Sequence, residues 1–176
     1  MNKAFYDRIA ILAFILIIFS LFLRIIDMDT SQVEMTNEGY TTDTYYVVKY
    51  FLQGEQIPED QIKSLEMAAV IQTFMDCYIT EYMTPYQKEV AIHDYLTANT
   101  IYGDASVVNE SEHTAYGALI CHKAVCEGYA KAFQLMCVSC GIECKYVVGN
   151  NGFNHGWNMV LLDNEWYAVD VTWDDP

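Results

Sequence analysis

Cys126, His155 and Asp170 stand in that order near the end of the chain. Each lies in a short segment that suits catalysis: Ala124-Val125-Cys126-Glu127-Gly128-Tyr129-Ala130, Asn154-His155-Gly156-Trp157-Asn158 and Val169-Asp170-Val171-Thr172-Trp173. A thiol nucleophile needs a base to take its proton, and the base needs a third group to fix its tautomer and orientation. A cysteine, a histidine and an aspartate supply all three. A neutral thiol is a poor nucleophile, and both a helix N-terminus and a nearby imidazolium favour the thiolate.

These residues need particular elements to bring them together. A helix is expected to start near Cys126 and stop at Gly141, with Cys126, Ala130, Phe133, Cys137 and Cys140 on one stripe and Glu127, Lys131 and Val138 facing elsewhere. Residues 142–149, 155–162 and 165–173 then read as three strands, the last two joined by a two-residue Asp163-Asn164 hairpin. That turn makes residues whose numbers sum to 327 face one another, so His155 would pair with Thr172 and Asp170 with Trp157. Asp170 becomes a diagonal neighbour of His155 on the same face, within reach of its ring. The same register puts Trp157 on the face of His155, as a cleft wall, and sends Trp173 to the opposite face and the core.

Upstream, residues 42–51 are rich in β-formers and read as a strand or hairpin arm, broken by 54–58. Residues 59–82 have helical composition, with Leu65, Ala68, Ala69, Gln72 and Met75 near helical spacing. Thr84-Pro85 is an N-cap followed by proline at the first helical position, opening a helix that runs to about residue 99. A polar loop over 103–113 and a short helix over 114–120 follow. His113 and His122 read as solvated loop residues and His93 as a structural helix residue.

The chain has 176 residues and 53 % hydrophobic content, enough for one packed domain and an appendage. Its 9 Lys+Arg against 24 Asp+Glu give a net charge of −15, which excludes nucleic acid as a partner. The N-terminus differs in kind. Residues 9–23 carry no charge, and with Arg24 snorkelling the apolar stretch reaches 26. Such a stretch spans roughly 27 Å as a helix, close to the hydrocarbon thickness of a bilayer. No small-x-small cleavage site follows it, so an uncleaved anchor is preferred to a signal peptide. Lys3 and Arg8 before it and Asp27 and Asp29 after it orient it with the N-terminus cytoplasmic and the rest outside. The expected organisation is a cytoplasmic stub at 1–8, a transmembrane anchor at 9–26, a tether and strand/helix region at 27–83, and a core at 84–176.

Cys137, Cys140 and Cys144 invite a zinc reading, but two of them fall on the buried helix stripe and are expected to be packing residues; no metal is expected. If the domain is extracellular, disulfides become possible, although six cysteines less a free Cys126 leave an odd number.

Four blocks carry a family resemblance: Ala115-Tyr116-Gly117-Ala118-Leu119, Val125-Cys126-Glu127-Gly128-Tyr129-Ala130-Lys131-Ala132-Phe133, His155-Gly156-Trp157-Asn158 and Asp170-Val171-Thr172-Trp173-Asp174. Together they resemble the transglutaminase-like superfamily, in particular its bacterial, secreted or membrane-anchored branch. Ala91-Ile92-His93-Asp94-Tyr95-Leu96 is similar to that branch's preceding helix. The resemblance covers residues 84–176 and implies an α+β, papain-like core whose nucleophile helix packs on an antiparallel sheet. It maps the nucleophile onto Cys126, the base onto His155 and the orienting acid onto Asp170. Tyr116 and the backbone N–H of Cys126 are the oxyanion-hole candidates. The family's sheet usually continues past the Asp strand, whereas this chain ends at Pro176, so the core is open to truncation. No cofactor is implied. The expected substrate is a peptide, a protein or another carboxamide, with cell-wall association one option. The outcome is hydrolysis or amine transfer through a thioester, and a non-catalytic cell-surface module of the same fold is the alternative.

The anchor is testable on whole cells. Protease added outside is expected to digest the domain and leave the 9–26 segment in the membrane fraction. A mature protein beginning after Ser20 would overturn the anchor in favour of a cleaved signal.

Overall fold

A computed structural model describes residues 40–104, 109–150 and 154–173. The apolar segment 9–26, the stub before it and the tether after it lie outside these residues. Among the described residues no helix is long and apolar enough to cross a membrane.

The stretch expected as a strand is a helix, α1 (Thr42–Gln53). Its β-forming composition is outweighed by its ends and one face. The Thr41 side chain accepts the Thr44 amide N–H, and Gly54 at φ 68 closes the C-terminus. Thr44, Val47 and Val48 are buried at helical spacing, so burial rather than propensity decides the state. Helix α2 (Ile62–Tyr78) is tied to α1 by the Ser64 hydroxyl, which donates to the Asp43 carbonyl at 2.8 Å. Its buried face is Ser64, Met67, Ala68, Ile71 and Phe74, and Leu65 of the expected stripe is 38 % exposed. Apolar residues lie on several sides of this helix, so composition alone does not fix its phase. Helix α3 (Pro85–Asn99) has the expected limits. A full capping box starts it: Gln87 N–H donates to Thr84 Oγ1 at 3.2 Å, and Thr84 N–H donates to Gln87 Oε1 at 2.9 Å.

Beyond α3, strand β1 (Ile101–Tyr102) pairs in parallel with β2 (Lys123–Ala124), Tyr102 opposite Ala124. Between them come a 3-10 turn (Glu110–His113), inside the expected polar loop, and the short helix α4 (Ala115–Leu119). Helix α5 (Cys126–Ser139) follows β2 directly. It is the core of the domain: every residue from Gly128 to Ser139 except Lys131 is buried. Val138, expected on another face, is only 6 % exposed, because α1, α3 and α4 cover one side of α5 and the sheet covers the other. Gly141 at φ 77 ends the helix, and Ile142 N–H returns to the Cys137 carbonyl at 2.9 Å.

Strands β3 (Cys144–Asn150), β4 (Asn154–Leu162) and β5 (Glu165–Val169) form an antiparallel sheet in that order. Asp163 and Asn164 both take positive φ, 51 and 66, as a two-residue turn of the primed type requires. The register is the expected one, from Leu162↔Glu165 to Asn158↔Val169. The ladder then stops. The expected His155–Thr172 and Trp157–Asp170 pairs do not form, because the chain leaves β5 after Val169 and turns, Trp173 N–H donating to the Asp170 carbonyl at 3.2 Å. Cys137, Cys140 and Cys144 sit in the interior, 0, 8 and 5 % exposed. Burial pushes the Cys140 thiol up to about 11, and burial followed by contact with Cys144 raises Cys137 as well.

At Gly128 the start of α5 approaches the 3-10 turn closely. A Cβ there would overlap the Glu112 carbonyl and come within 2.8 Å of the Ala124 Cβ. Gly128→Ala is expected to cost about 1–3 kcal/mol in urea unfolding, since backbone rather than a flexible side chain must move. An unchanged midpoint would show that this junction is looser than described.

Candidate active site

Cys126 is the first residue of α5. Val125 before it is extended, at φ −95 and ψ 178, and its N–H donates to the Glu112 carbonyl at 3.0 Å. No side chain caps this helix start. The amide groups of the first turn and the positive end of the helix dipole are therefore available at Cys126. Glu127, next along, accepts from Lys131 and lies 2.8 Å from His113 Nδ1. Burial works against its ionised form, but these two hydrogen bonds outweigh burial and hold its carboxyl below the ordinary range.

Glu112 anchors the approach to Cys126 twice. Its backbone receives Val125, and its buried carboxylate takes Lys123 Nζ and Asn109 Nδ2, each at 3.0 Å on Oε1. The other oxygen, Oε2, is buried with no hydrogen-bond partner among the described residues, packed where a side chain on Gly103 would overlap it. The hydrogen bond from Lys123 keeps this carboxyl below the ordinary range, against the opposing pull of burial.

His155 and Asp170 meet. His155 Nε2 lies 2.6 Å from Asp170 Oδ2, and the two side chains are 24 and 27 % exposed. Engaging Nε2 with the carboxylate leaves Nδ1 as the nitrogen for a thiol. β4 is fastened to α5 by Asn158, fully buried, whose Nδ2 donates to the Ala130 carbonyl at 2.9 Å. Trp157 stacks on the His155 ring at 6.0 Å between centroids. Gly149, opposite His155 in the ladder, makes room for Trp157, since a Cβ there would overlap the indole.

Two tyrosines join the halves of the site. Burial and then the charges of Glu127 and Cys126 push the Tyr146 phenol up to about 12. The same ring lies over Gly156, next to His155, where an added Cβ would come within 2.8 Å of Tyr146 Cε2. Tyr102 is the second. Its hydroxyl lies in the neighbourhood of Cys126 and feels the Asp170 carboxylate. Burial first, and then Cys126, raise its pKa above the ordinary 10.0. Cys126 at the start of α5, His155 on β4 and Asp170 just past β5 thus share tyrosine neighbours.

The other candidates fall elsewhere. Tyr116 donates to Glu66 at 2.6 Å and lines a cavity of about 330 Å³ with Lys63, Met67 and Gln134, a cavity that does not include Cys126. Trp173, expected in the core, is 78 % exposed with its ring 5.5 Å from His155, a consequence of the early end of β5. His113 is bound to Glu127, and His122 Nδ1 lies 2.8 Å from the Asn99 carbonyl, so neither is merely solvated. Among the described residues no group of three or more His, Cys, Asp or Glu is arranged to hold a metal ion. Tyr102, Tyr146 and Glu112 escaped the sequence reading. The Ile-Tyr-Gly run after α3 was the available signal for Tyr102, but its place beside Cys126 depends on a two-residue parallel bridge to β2.

Comparison with known proteins agrees with this architecture. The family model described as the transglutaminase-like superfamily matches residues 73–171. The kyphoscoliosis peptidases of Homo sapiens and Mus musculus are each 31 % identical over 86 residues, covering 40 % of this chain. The chain spans only 13 % of the length of these curated relatives. A crystal structure of a candidate cysteine protease from Cytophaga hutchinsonii shares the fold at a TM-score of 0.50 and 15 % identity, covering 78 % of this chain and 45 % of that one.

The Glu112–Lys123 pair has a pH signature. The folded carboxyl titrates below its ordinary 4.5, so its contribution is present above that value and lost as pH falls through the folded value. Lys123→Met is expected to flatten the rise in urea midpoint between about pH 3 and pH 6. An identical slope in wild type and variant would show that Glu112 gains nothing from Lys123.

Proposed function

Because the chain belongs to the transglutaminase-like superfamily, we propose that it is a cysteine-dependent enzyme that opens peptide or carboxamide bonds through a thioester on Cys126. The observation that carries this reading is the 2.6 Å hydrogen bond between His155 Nε2 and Asp170 Oδ2, in a chain whose Cys126 is the first residue of α5. Asp170 accepts a hydrogen bond from Nε2–H and holds the ring in the tautomer with a free Nδ1. Nδ1 takes the thiol proton, and the sulfur attacks the substrate carbonyl carbon. The tetrahedral intermediate collapses as the C–N bond breaks, and the amine leaves with the proton from His155. Water or a second amine then attacks the thioester, again with His155 as base, and frees the thiol. The peptidase and protease names of the relatives favour water. The partner on this reading is a protein or peptide, and the segment 9–26 anchors the domain outside the cell. The formed His–Asp pair favours an enzyme over a binding module of the same fold.

Labelling by iodoacetamide, read peptide by peptide, tests the nucleophile. At about pH 6.5 Cys126 is expected to react at least roughly tenfold faster than a free model thiol, and His155→Ala to remove most of that gain. Buried Cys137 and Cys140 should stay unlabelled until the protein unfolds. A Cys126 no faster than the model thiol, and indifferent to His155→Ala, would sink the enzyme in favour of the binding module.

A further inference from the structure

The cavity of about 330 Å³ takes no part in the proposed reaction, since Cys126 is not among its lining residues. It lies where the starts of α1 and α2 meet the 3-10 turn, α4 and the middle of α5. Its volume falls at the small end of the range that ligand pockets occupy. Met67, Ala115 and Leu135 close it from behind, and all three are buried. The rings of Tyr40 and Tyr116 stand in its walls. Tyr116 is held in place by its hydroxyl, which donates to Glu66 at 2.6 Å.

The charges around this space are of both signs and leave one another incompletely paired. Lys63 and Lys131 bring two ammonium groups, and Asp43 and Glu110 bring two carboxylates. Lys63 Nζ stands 3.9 Å from Asp43 Oδ2, too far for a hydrogen bond, and 5.4 Å from the centre of the Tyr116 ring. The fold sets this spacing, because the Ser64 hydroxyl beside Lys63 donates to the Asp43 carbonyl at 2.8 Å. Lys131 Nζ donates to Glu127 Oε1 at 2.5 Å and to the His113 carbonyl at 3.2 Å. An ammonium has three donors, so one remains for the cavity. A ligand of one sign would satisfy half of these groups and strip water from the rest without replacing it. A zwitterion serves both. In a free α-amino acid the ammonium and carboxylate share one carbon and lie roughly 3 Å apart, close to the spacing of Lys63 and Asp43. A dipeptide holds them roughly 6 Å apart. We propose that this cavity binds a free α-amino acid with an aromatic side chain. Its carboxylate accepts from Lys63 and from the third donor of Lys131. Its ammonium donates to Asp43 and Glu110, and its side chain lies on the Tyr116 ring. With Lys63 and Asp43 the two ligand charges close an alternating square, in which each charge has an opposite neighbour on two sides.

This site does not depend on the enzyme reading above, and calorimetric titration of the full chain tests it alone. The probe is L-phenylalanine. N-acetyl-phenylalanine, which lacks the ammonium, and phenylalaninamide, which lacks the carboxylate, are the controls. One phenylalanine is expected to bind per chain, with each blocked derivative weaker by about tenfold or more. Lys63→Met is expected to weaken phenylalanine by about tenfold and to leave phenylalaninamide no weaker than in wild type, since that ligand has no carboxylate for Lys63 to hold. Asp43→Asn is expected to do the converse, weakening phenylalanine and sparing N-acetyl-phenylalanine. The two side chains are 59 and 38 % exposed, so both variants should keep the wild-type unfolding midpoint, which separates a lost contact from a lost fold. Absence of saturable heat with wild type would overturn the proposal. Blocked derivatives that bind as tightly as phenylalanine would overturn it too, as would equal affinity for phenylalanine in wild type and Lys63→Met, which would place the ligand elsewhere.

Discussion

The hydrogen bond from Val125 N–H to the Glu112 carbonyl fixes where α5 begins, and much of the site follows from it. A helix start is a poor anchor on its own, because its first amide groups have no partner inside the helix. Here the chain is pinned just before the helix, in extended form, by a carbonyl of the 3-10 turn. The close approach demands Gly128 one turn in. The same glutamate uses its carboxylate to hold Lys123 on β2, and β2 in turn carries β1 and Tyr102. One residue thus sets the height of the nucleophile and, through a short parallel bridge, the place of its phenol neighbour.

Burying α5 on every side has a second requirement. A helix inside a core cannot leave its polar side chains unpaired. Ser139 donates to the Leu135 carbonyl at 2.8 Å, and Gln134 to the Cys144 carbonyl at 3.2 Å. Asn158 reaches from β4 to the Ala130 carbonyl, which locks the strand of His155 to the helix of Cys126. Catalytic alignment and core packing are therefore the same contacts, and the site's geometry is as stiff as the interior that supports it.

Much of this was legible where the signal is local. Thr84-Pro85 with Gln87 names a helix start within four residues, and Asp163-Asn164 sets a hairpin register without reference to the rest of the chain. Asp170 within reach of His155 followed from the hairpin, and Cys126 at a helix start followed from the stripe that Gly141 closes. The rest was hidden because tertiary packing decides it. Residues 42–51 carry β-formers, yet Val47 and Val48 find their partners only as a helix. Trp173 was assigned to the core on the assumption that β5 continues, and nothing in the sequence marks Val169 as its last paired residue. Tyr102 lies far from Cys126 along the chain, and no periodic pattern announces a bridge of two residues.

The Asp163-Asn164 hairpin makes the spacing of His155 and Asp170 a matter of parity. A strand turns successive side chains to opposite faces, so what is specified is whether the count within each strand is odd or even. A residue added within the turn can be absorbed by a longer loop and leaves the faces as they are. One added within Glu165–Val169 turns Val169 to the far face, and with it the exit of the chain toward Asp170, unless a bulge swallows it. Length changes in this part of the chain are therefore not graded in their effect. The turn tolerates them and the strand does not, although the two adjoin each other in sequence.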